Sequence, residues 1–232
     1  MDILVIGRGK MGREVAELAA ERGHRVRGLL GSADNPGGRG LTPDRLGGVD
    51  VAIEFTRPDA VVANLERLIA AGVPVVTGTT GWTDQLPAVR ALVDRHRAAL
   101  LHSANFSVGV QLFLRAAREL AARFAGRPEF DAFILEQHHR AKRDAPSGTA
   151  ARLRDLLRGA DPAREFPVTS VRAGSMPGTH TLVYDGPHET VTLEHAARSR
   201  RGFAAGALLA AEWLAGRRGF YSFEDMLFGA ER

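Results

Sequence analysis

The sequence predicts an α/β protein with a Rossmann-type, doubly wound parallel sheet and a second unit of the α+β type. Strand-like and helix-like segments alternate through the first hundred residues. A glycine-rich turn lies between the first of these strands and the first helix. Three alternating strand-like runs follow one another later in the chain, which is typical of an α+β unit.

The first hundred residues contain short apolar runs separated by segments with helical periodicity. The predicted strands are 3–6, 24–30, 50–55, 73–76 and 99–102, and the predicted helices are 12–22, 58–71 and 84–97. The segment 31–48 is rich in Gly and Pro and is predicted to be a loop. Because strands that alternate with helices need crossover connections, we expect a mostly parallel sheet with right-handed crossovers.

The pattern changes after Asn105. The predicted elements there are helix 108–125, strand 132–135, helix 149–157, strands 168–173, 180–184 and 189–195, and a last helix at 202–214. Successive strands with flanking helices favour a second sheet that is separate from the parallel one.

The composition excludes several classes of protein. With 232 residues, 44% of them hydrophobic and 25% charged, the chain can bury a full core in one or two domains. No apolar run approaches the roughly 18–20 residues of a membrane span, so no membrane partner is expected. The N-terminus has no signal-peptide pattern. The lack of cysteine excludes disulfides, thiolate metal ligands and cysteine nucleophiles, and favours a cytoplasmic enzyme.

The charge balance is basic, with a net charge of +4 and a pI near 10.2. The arginines are scattered and only 6% of the residues are aromatic, so no nucleic-acid partner is predicted. A small anionic substrate or cofactor fits the same balance.

The glycine-rich turn has the pattern G-x-G-x-x-G in a strand–turn–helix context. It consists of Gly7, Arg8, Gly9, Lys10, Met11 and Gly12. The first glycine allows the tight turn, the second lets the backbone approach a pyrophosphate, and the third allows close packing of helix and strand. We therefore predict dinucleotide binding; a purely structural turn with solvated charges at Arg8 and Lys10 is the alternative.

The acidic residue that usually ends the second strand of an NAD site is missing from its expected position. That position falls at Leu30 and Gly31, and the nearest acid, Asp34, is displaced into the following loop. Because a carboxylate would repel a 2′-phosphate, its absence favours NADPH, or dual use of NADPH and NADH.

Two loops of small and polar residues follow successive predicted strands, where ligands bind in open α/β sheets. One contains Gly78, Thr79 and Thr80, and the other contains Ser103, Ala104, Asn105 and Phe106. We expect both loops to line the nicotinamide crevice, although each could be an ordinary turn.

The segment 136–150, EQHHRAKRDAPSGTA, carries the densest set of reactive side chains. The chain has only two lysines, Lys10 and Lys142, and the second lies here. A histidine such as His138 can exchange a proton near neutral pH, and an ammonium can bind an anion or donate a proton. Ser147 or Thr149 can cap the following helix, whose free N–H groups suit a carboxylate.

These features together predict a small dicarboxylate substrate that takes up a hydride and a proton. Metal binding by the paired histidines is not favoured, because adjacent residues do not share one helix face and no cysteine assists.

The motifs together resemble the dihydrodipicolinate reductase (4-hydroxy-tetrahydrodipicolinate reductase) family of the bacterial lysine and diaminopimelate pathway. The resemblance covers the whole chain and is most specific at 136–150. It also includes Glu54-Phe55-Thr56, the loops at 78–81 and 104–109, and the segments 172–174, 178–180 and 195–200.

The resemblance implies an NAD(P)H-binding domain formed by 1–107 and 201–232. It also implies an α+β domain, 108–200, that binds substrate and builds a homotetramer. It implies hydride transfer to 4-hydroxy-tetrahydrodipicolinate with loss of water, giving tetrahydrodipicolinate. His138 and Lys142 would be the catalytic proton-transfer groups. The substrate carboxylates would be bound by His139, Ser147, Gly148 and Thr149.

The later polar residues Arg172, His180, His195 and Arg200 could be packing groups of the sheet or of a subunit contact rather than ligands, and for the two histidines on strands the structural role is the commoner case. Glu136 is expected to orient its neighbours rather than react. Two rival functions stay open: another NAD(P)-dependent oxidoreductase on the same plan, and a nucleotide-binding sensor without catalysis.

Overall fold

The computed structural model describes residues 1–229. In chain order the strands are β1 (Asp2–Ile6), β2 (Arg25–Leu30), β3 (Val51–Glu54), β4 (Val75–Thr77), β5 (Ala99–His102), β6 (Asp131–His138), β7 (Val168–Arg172), β8 (Thr179–Asp185), β9 (Thr190–Ala196) and β10 (Gly219–Ser222). The helices are α1 (Lys10–Glu21), α2 (Pro43–Leu46), α3 (Pro58–Ala70), α4 (Leu86–His96), α5 (Val108–Phe124), α6 (Gly148–Ala160), α7 (Arg201–Leu214) and α8 (Phe223–Phe228).

The chain divides into two compact units. The first unit is Met1–Val108 together with the described residues from Arg201 onward, and the second unit is Gly109–Arg200. No helix within residues 1–229 is long and apolar enough to cross a membrane.

The first unit contains a six-stranded sheet in the order β10-β5-β4-β3-β1-β2, and every strand pair in it is parallel. The four central strands are buried almost throughout, because their apolar residues face helices on both sides. One face is covered by α1 and α7 and the other by α3 and α4. This is the doubly wound parallel sheet that the sequence predicts.

The second unit contains a four-stranded mixed sheet in the order β7-β6-β8-β9. β6 pairs in parallel with β7 and antiparallel with β8, and β8 pairs antiparallel with β9. One face of this sheet packs on α5 and α6 around Ile134, Leu182 and Tyr184. The opposite face leaves Phe133 and Val171 40% and 37% exposed. The predicted fold class, a Rossmann-type sheet plus an α+β unit, is confirmed.

Three parts of the chain differ from the predicted elements. β6 continues to His138, three residues beyond the predicted end, because its inward polar side chains are paired rather than solvated. The predicted loop 31–48 contains a 3-10 turn at Pro36–Gly38 and the short helix α2. The sequence analysis also missed β10 and α8; α8 begins with a reciprocal Ser222–Asp225 capping box.

Candidate active site

The glycines of the G-x-G-x-x-G turn occupy positions that exclude a side chain. Gly7 has φ +108°, and a Cβ there would lie 1.9 Å from the carbonyl oxygen of Phe55. A Cβ on Gly12 would lie 1.7 Å from the carbonyl oxygen of Gly7. A Cβ on Gly9 would meet no atom within 4 Å, so this glycine leaves open space beside the turn. The geometry matches the three roles that the motif predicts.

The N-terminus of α1 is free of a side-chain cap. The helix begins at Lys10, and its N-cap residue is Gly9, which has no side chain that could cap it. The first amide groups of a helix lack partners within it, so they can bind a phosphate. Lys10 is exposed, while Met11 packs against the core below. These residues fit the pyrophosphate of a dinucleotide.

The displaced acid, Asp34, lies at the end of β2 after all. Its Oδ2 accepts a hydrogen bond of 2.8 Å from the Gly31 amide, so the loop folds back onto the strand end. The same oxygen is 2.8 Å from Nη2 of Arg8, which also donates to the Leu29 carbonyl at 3.0 Å. A carboxylate and a guanidinium therefore share the position next to the glycine-rich turn.

The loops that follow β3 and β4 are held together by Glu54. This carboxyl group is fully buried and accepts from the hydroxyls of Thr77 at 2.7 Å and Thr79 at 2.8 Å, and from Thr56. Thr79 Oγ1 in turn accepts from the Thr56 amide at 2.7 Å. Gly78 packs directly on Phe55, where a Cβ would lie 2.0 Å from the ring. Of the predicted cofactor-binding residues here, only Thr80 has an exposed side chain.

The loop after β5 is closed by its own side chains. Ser103 Oγ accepts from the Asn105 amide at 3.1 Å and donates to the Asn105 carbonyl at 2.9 Å. Asn105 Oδ1 accepts from the Ser107 amide at 2.8 Å. Ala104 is exposed, whereas the Phe106 ring is buried between Phe55 and Phe223. Phe106 can thus offer a ligand only its backbone.

In the second unit, the strand ends bring polar residues together on the face that packs against the helices. Because side chains alternate along a strand, Glu136 and His138 share this face of β6 with Ile134. Register places Ser170 and Arg172 of β7 beside them on one side, and His180 of β8 on the other.

Glu136 is the centre of this cluster and is fully buried. Its Oε1 accepts from the Ser147 amide at 3.1 Å, from Ser170 Oγ at 2.6 Å and from Arg172 Nη2 at 2.5 Å. Burial opposes ionisation, but the hydrogen bonds from Ser170, Arg172 and Ser147 outweigh it and lower the pKa of Glu136 to about 2. The group is therefore a buried anion at neutral pH.

His138 lies beside the free oxygen of this anion. Its Nδ1 is 2.6 Å from Glu136 Oε2. Burial lowers the pKa of His138, and the Coulombic effect of Lys142 and Arg172 acts in the same direction, while Glu136 opposes it. On the other side of the ring, a Cβ added to Gly178 would lie 2.8 Å from Nε2. The glycine therefore leaves that nitrogen room.

His180 and Ser147 form a second pair in the cluster. The Ser147 hydroxyl caps α6 by accepting from the Ala150 amide at 3.2 Å, and it lies 3.1 Å from His180 Nε2. Burial, together with the charge of His138, lowers the pKa of His180 to about 4. The Ser147 hydroxyl is thus engaged by the protein itself, and its predicted contact with substrate stays a prediction.

The start of α6 is the part of the site that is open to an anion. Gly148 is exposed and Thr149 half-buried, and theirs are the first amides of a 13-residue helix. Lys142 lies in the loop before this helix, with Nζ 2.8 Å from an Asp144 carboxylate oxygen. His139, half-buried, lies in the same loop, and its amide donates to the Met176 carbonyl of the β7–β8 loop at 2.9 Å. The arrangement can bind a carboxylate at the helix start.

Glu136, His138 and His180 also have ligand atoms within 4.8 Å of one another, close enough to share a metal ion. Arg172 argues against this use, because its guanidinium is already 2.5 Å from Glu136 and would repel a cation. The cluster is better suited to holding a proton than a metal.

Sequence reasoning missed the contribution of His180 and Arg172 to this cluster. Of the other late residues, His195 pairs with His180 across β8 and β9 and packs near Phe113, while Arg200 is exposed. The signal that could have found them is strand alternation, since positions 170, 172, 180 and 195 share the face of Glu136.

Comparison with known proteins agrees with this geometry. Residues 1–106 match the family description "Dihydrodipicolinate reductase, N-terminus" and residues 109–227 match "Dihydrodipicolinate reductase, C-terminus". The 4-hydroxy-tetrahydrodipicolinate reductase of Natronomonas pharaonis is 39% identical over 252 residues, covering 97% of this chain and 99% of the relative. That of Christiangramia forsetii is 34% identical over 238 residues, covering 98% of both chains.

A solved structure, the dipicolinate-bound dihydrodipicolinate reductase from Paenisporosarcina sp. TG-14, has the same fold with a TM-score of 0.81. It is 23% identical and the match covers 98% of this chain and 99% of that one. The family resemblance predicted from the motifs is confirmed, and this chain belongs to the dihydrodipicolinate reductase family.

Proposed function

We propose that this chain reduces 4-hydroxy-tetrahydrodipicolinate with NAD(P)H, and that His138 and Lys142 handle the protons. Membership of the family makes the chain an oxidoreductase of lysine and diaminopimelate biosynthesis. One observation supports the assignment of the site: a single strand end, turn and helix start bring together His138, Lys142 and the amides of Gly148 and Thr149.

Each part of this turn has a distinct task in the proposal. The start of α6 binds one substrate carboxylate through the amides of Gly148 and Thr149, and His139 contributes from the same loop. Lys142 leaves Asp144 to pair with the anionic substrate. His138 exchanges a proton through Nε2, the nitrogen beside Gly178, where a Cβ would crowd it.

In this proposal the first unit binds the cofactor. The cofactor supplies the hydride when bound. The amides at the start of α1 bind the pyrophosphate, and Gly9 allows the close approach. The loops 78–80 and 103–106 form the rest of the cofactor surface, with the Glu54 hydrogen bonds fixing the first of them.

We propose that the chain uses both NADH and NADPH. Asp34 offers a carboxylate suited to the ribose hydroxyls, and Arg8, paired with it at 2.8 Å, offers a guanidinium suited to a 2′-phosphate. Measured kcat/KM ratios for the two cofactors test this, with Arg8→Gln expected to weaken NADPH use more than NADH use. A strong preference of the wild type for either cofactor, or an equal effect of Arg8→Gln on both cofactors, would contradict it.

The central experiment is NADPH oxidation that depends on freshly generated 4-hydroxy-tetrahydrodipicolinate. His138→Ala and Lys142→Ala should bind cofactor almost as the wild type does, yet lose about 10²–10⁴-fold in kcat, the usual contribution of general acid–base groups. An unchanged kcat in both variants would refute the assignment. Activity on another substrate but none on this one would favour the alternative that the chain is a different NAD(P)-dependent oxidoreductase. Cofactor binding without any turnover would favour the alternative of a nucleotide-binding sensor.

A homotetramer built through the sheet of the second unit is also part of the proposal. The sheet face opposite α5 and α6 carries the exposed apolar side chains Phe133 and Val171. Analytical ultracentrifugation should find a tetramer for the wild type and smaller species for Phe133→Asp, and a monomeric wild type would refute this. The cytoplasmic location and the absence of a nucleic-acid partner stay predictions.

A further inference from the structure

We infer that Glu136 is a positioning residue that makes Nε2 of His138, and not Nδ1, the atom that exchanges a proton with substrate. The inference rests on the proposed role of His138 and specifies which of its atoms acts.

The two oxygens of Glu136 have separate partners. Oε1 is occupied by the Ser147 amide, Ser170 Oγ and Arg172 Nη2, at 3.1, 2.6 and 2.5 Å. Three donors, two from β7 and one from the turn before α6, hold the carboxylate in place. Oε2 is thereby left facing His138 Nδ1, 2.6 Å away. The carboxylate cannot turn its free oxygen elsewhere without breaking these hydrogen bonds.

An anion at this distance determines where the imidazole proton resides. The low pKa of Glu136, about 2, keeps the carboxylate charged at neutral pH. A carboxylate only accepts hydrogen bonds, so Nδ1 must carry its hydrogen in both the neutral and the charged imidazole. The proton that comes and goes is then the one on Nε2, beside Gly178.

The charges around His138 make Glu136 indispensable for that proton. Lys142 and Arg172 both disfavour the imidazolium, and the neighbouring ring of His180, 5.2 Å away between centroids, adds no anion. Glu136 opposes them and favours the imidazolium. Replacing that carboxylate by a neutral group leaves Arg172 without its anionic partner beside His138, while Lys142 keeps its ion pair with Asp144.

The proton step balances with the hydride. The N–H bond at Nε2 breaks, its electron pair stays on Nε2, and the proton joins the hydroxyl that leaves the substrate as water. A bound nicotinamide cofactor would supply the hydride that replaces this hydroxyl on carbon, so atoms and charges balance. His138 is left neutral with its hydrogen on Nδ1 beside Glu136, and Nε2 is reprotonated from solvent.

Nitrogen-15 NMR of histidine-labelled protein tests the inference without any need for turnover. The chain has eight histidines, and the His138 signals are assigned by their loss in His138→Asn. We expect the neutral His138 of the wild type to be the Nδ1–H tautomer. In Glu136→Gln its pKa should fall by about one unit or more, the effect of losing an opposite charge at this range. The matched control Glu165→Gln, an exposed glutamate of the same unit, should leave it unchanged.

Kinetics provide the second readout. In Glu136→Gln the alkaline limb of the kcat profile should move to lower pH, because the proton on Nε2 is lost earlier, while cofactor KM stays near the wild-type value. An Nε2–H tautomer in the wild type, or an unchanged His138 pKa in Glu136→Gln, would overturn the inference. The tautomer of neutral His138 in the wild type tests the inference even if Glu136→Gln fails to fold. Normal turnover in His138→Ala would instead refute the proposed function, with the NMR result standing by itself.

Discussion

The buried carboxyl of Glu54 should make the stability of the first unit depend on pH, and Glu54→Gln should remove that dependence. Burial raises the pKa of Glu54, against the opposing hydrogen bonds from Thr56, Thr77, Thr79 and Asn64. All four donors are neutral, and none supplies the positive charge that would favour ionisation. Gln resembles the protonated carboxyl in shape and charge, so it preserves the site as it is at low pH.

The sign and size of the effect follow from linkage. Because the pKa of Glu54 is raised in the folded protein, its stabilising contribution is complete below its ordinary pKa of 4.5 and is lost as pH rises through the folded value. One proton changes the free energy of unfolding by up to about 1.4 kcal/mol per pH unit in that window. The stability of Glu54→Gln minus that of the wild type should therefore increase with pH above 4.5.

Tryptophan fluorescence is a suitable assay, because both tryptophans, Trp82 and Trp213, lie in the first unit. Urea unfolding of wild type and Glu54→Gln is measured between about pH 4.5 and 8, within the range where proteins are generally most stable. Glu54→Ala is the contrasting variant, since it leaves Thr77, Thr79 and Asn64 without their acceptor and should cost about 3 kcal/mol or more. A difference between wild type and Glu54→Gln that is the same at every pH would refute the reasoning.

Further predictions concern the two loops that carry the chemistry. Lys142→Arg should bind substrate but lose most of kcat, because a guanidinium with a pKa above about 12 does not give up a proton; near-wild-type turnover would assign Lys142 to charge alone. Gly9→Ala should melt at the wild-type temperature yet bind NADPH more weakly in a fluorescence titration, since its Cβ meets only open space. Gly12→Ala should lower the melting temperature, because its Cβ would lie 1.7 Å from the Gly7 carbonyl oxygen and overpacking costs about 1–3 kcal/mol; an unchanged melting temperature would contradict this.

Local pattern was sufficient to predict the parallel sheet and the glycine-rich turn. The strand at Ala99–His102 has its predicted bounds, and α1, α3 and α4 begin and end within two residues of prediction. In each case apolar periodicity and a glycine or proline boundary lie within one short stretch of sequence. β10 was missed because its four residues, GFYS, have no alternation of their own and become a strand only by pairing with β5.

The candidate site was predictable only where its residues are close in sequence. His138, Lys142 and the start of α6 fall within one turn, whereas Arg172 and His180 reach the same cluster through the register of β7 and β8. Register depends on long-range pairing, which one sequence does not reveal. Asp34 shows the same limit of sequence-based prediction. Its position in the sequence lies beyond the end of the second strand, but the loop folds back so that its carboxylate accepts a hydrogen bond from the Gly31 amide.

The two buried glutamates at strand ends show why burial alone does not assign a chemical role. Glu54 and Glu136 are both fully buried, and each accepts hydrogen bonds from side chains of neighbouring strands or loops. Glu54 receives only neutral donors, so burial dominates and raises its pKa. Glu136 has Arg172 beside it as well, and its pKa falls to about 2. The hydrogen bonds from Ser170, Arg172 and Ser147 thus separate a carboxylate whose charge can act on the proton of His138 from a carboxyl that holds two loops together.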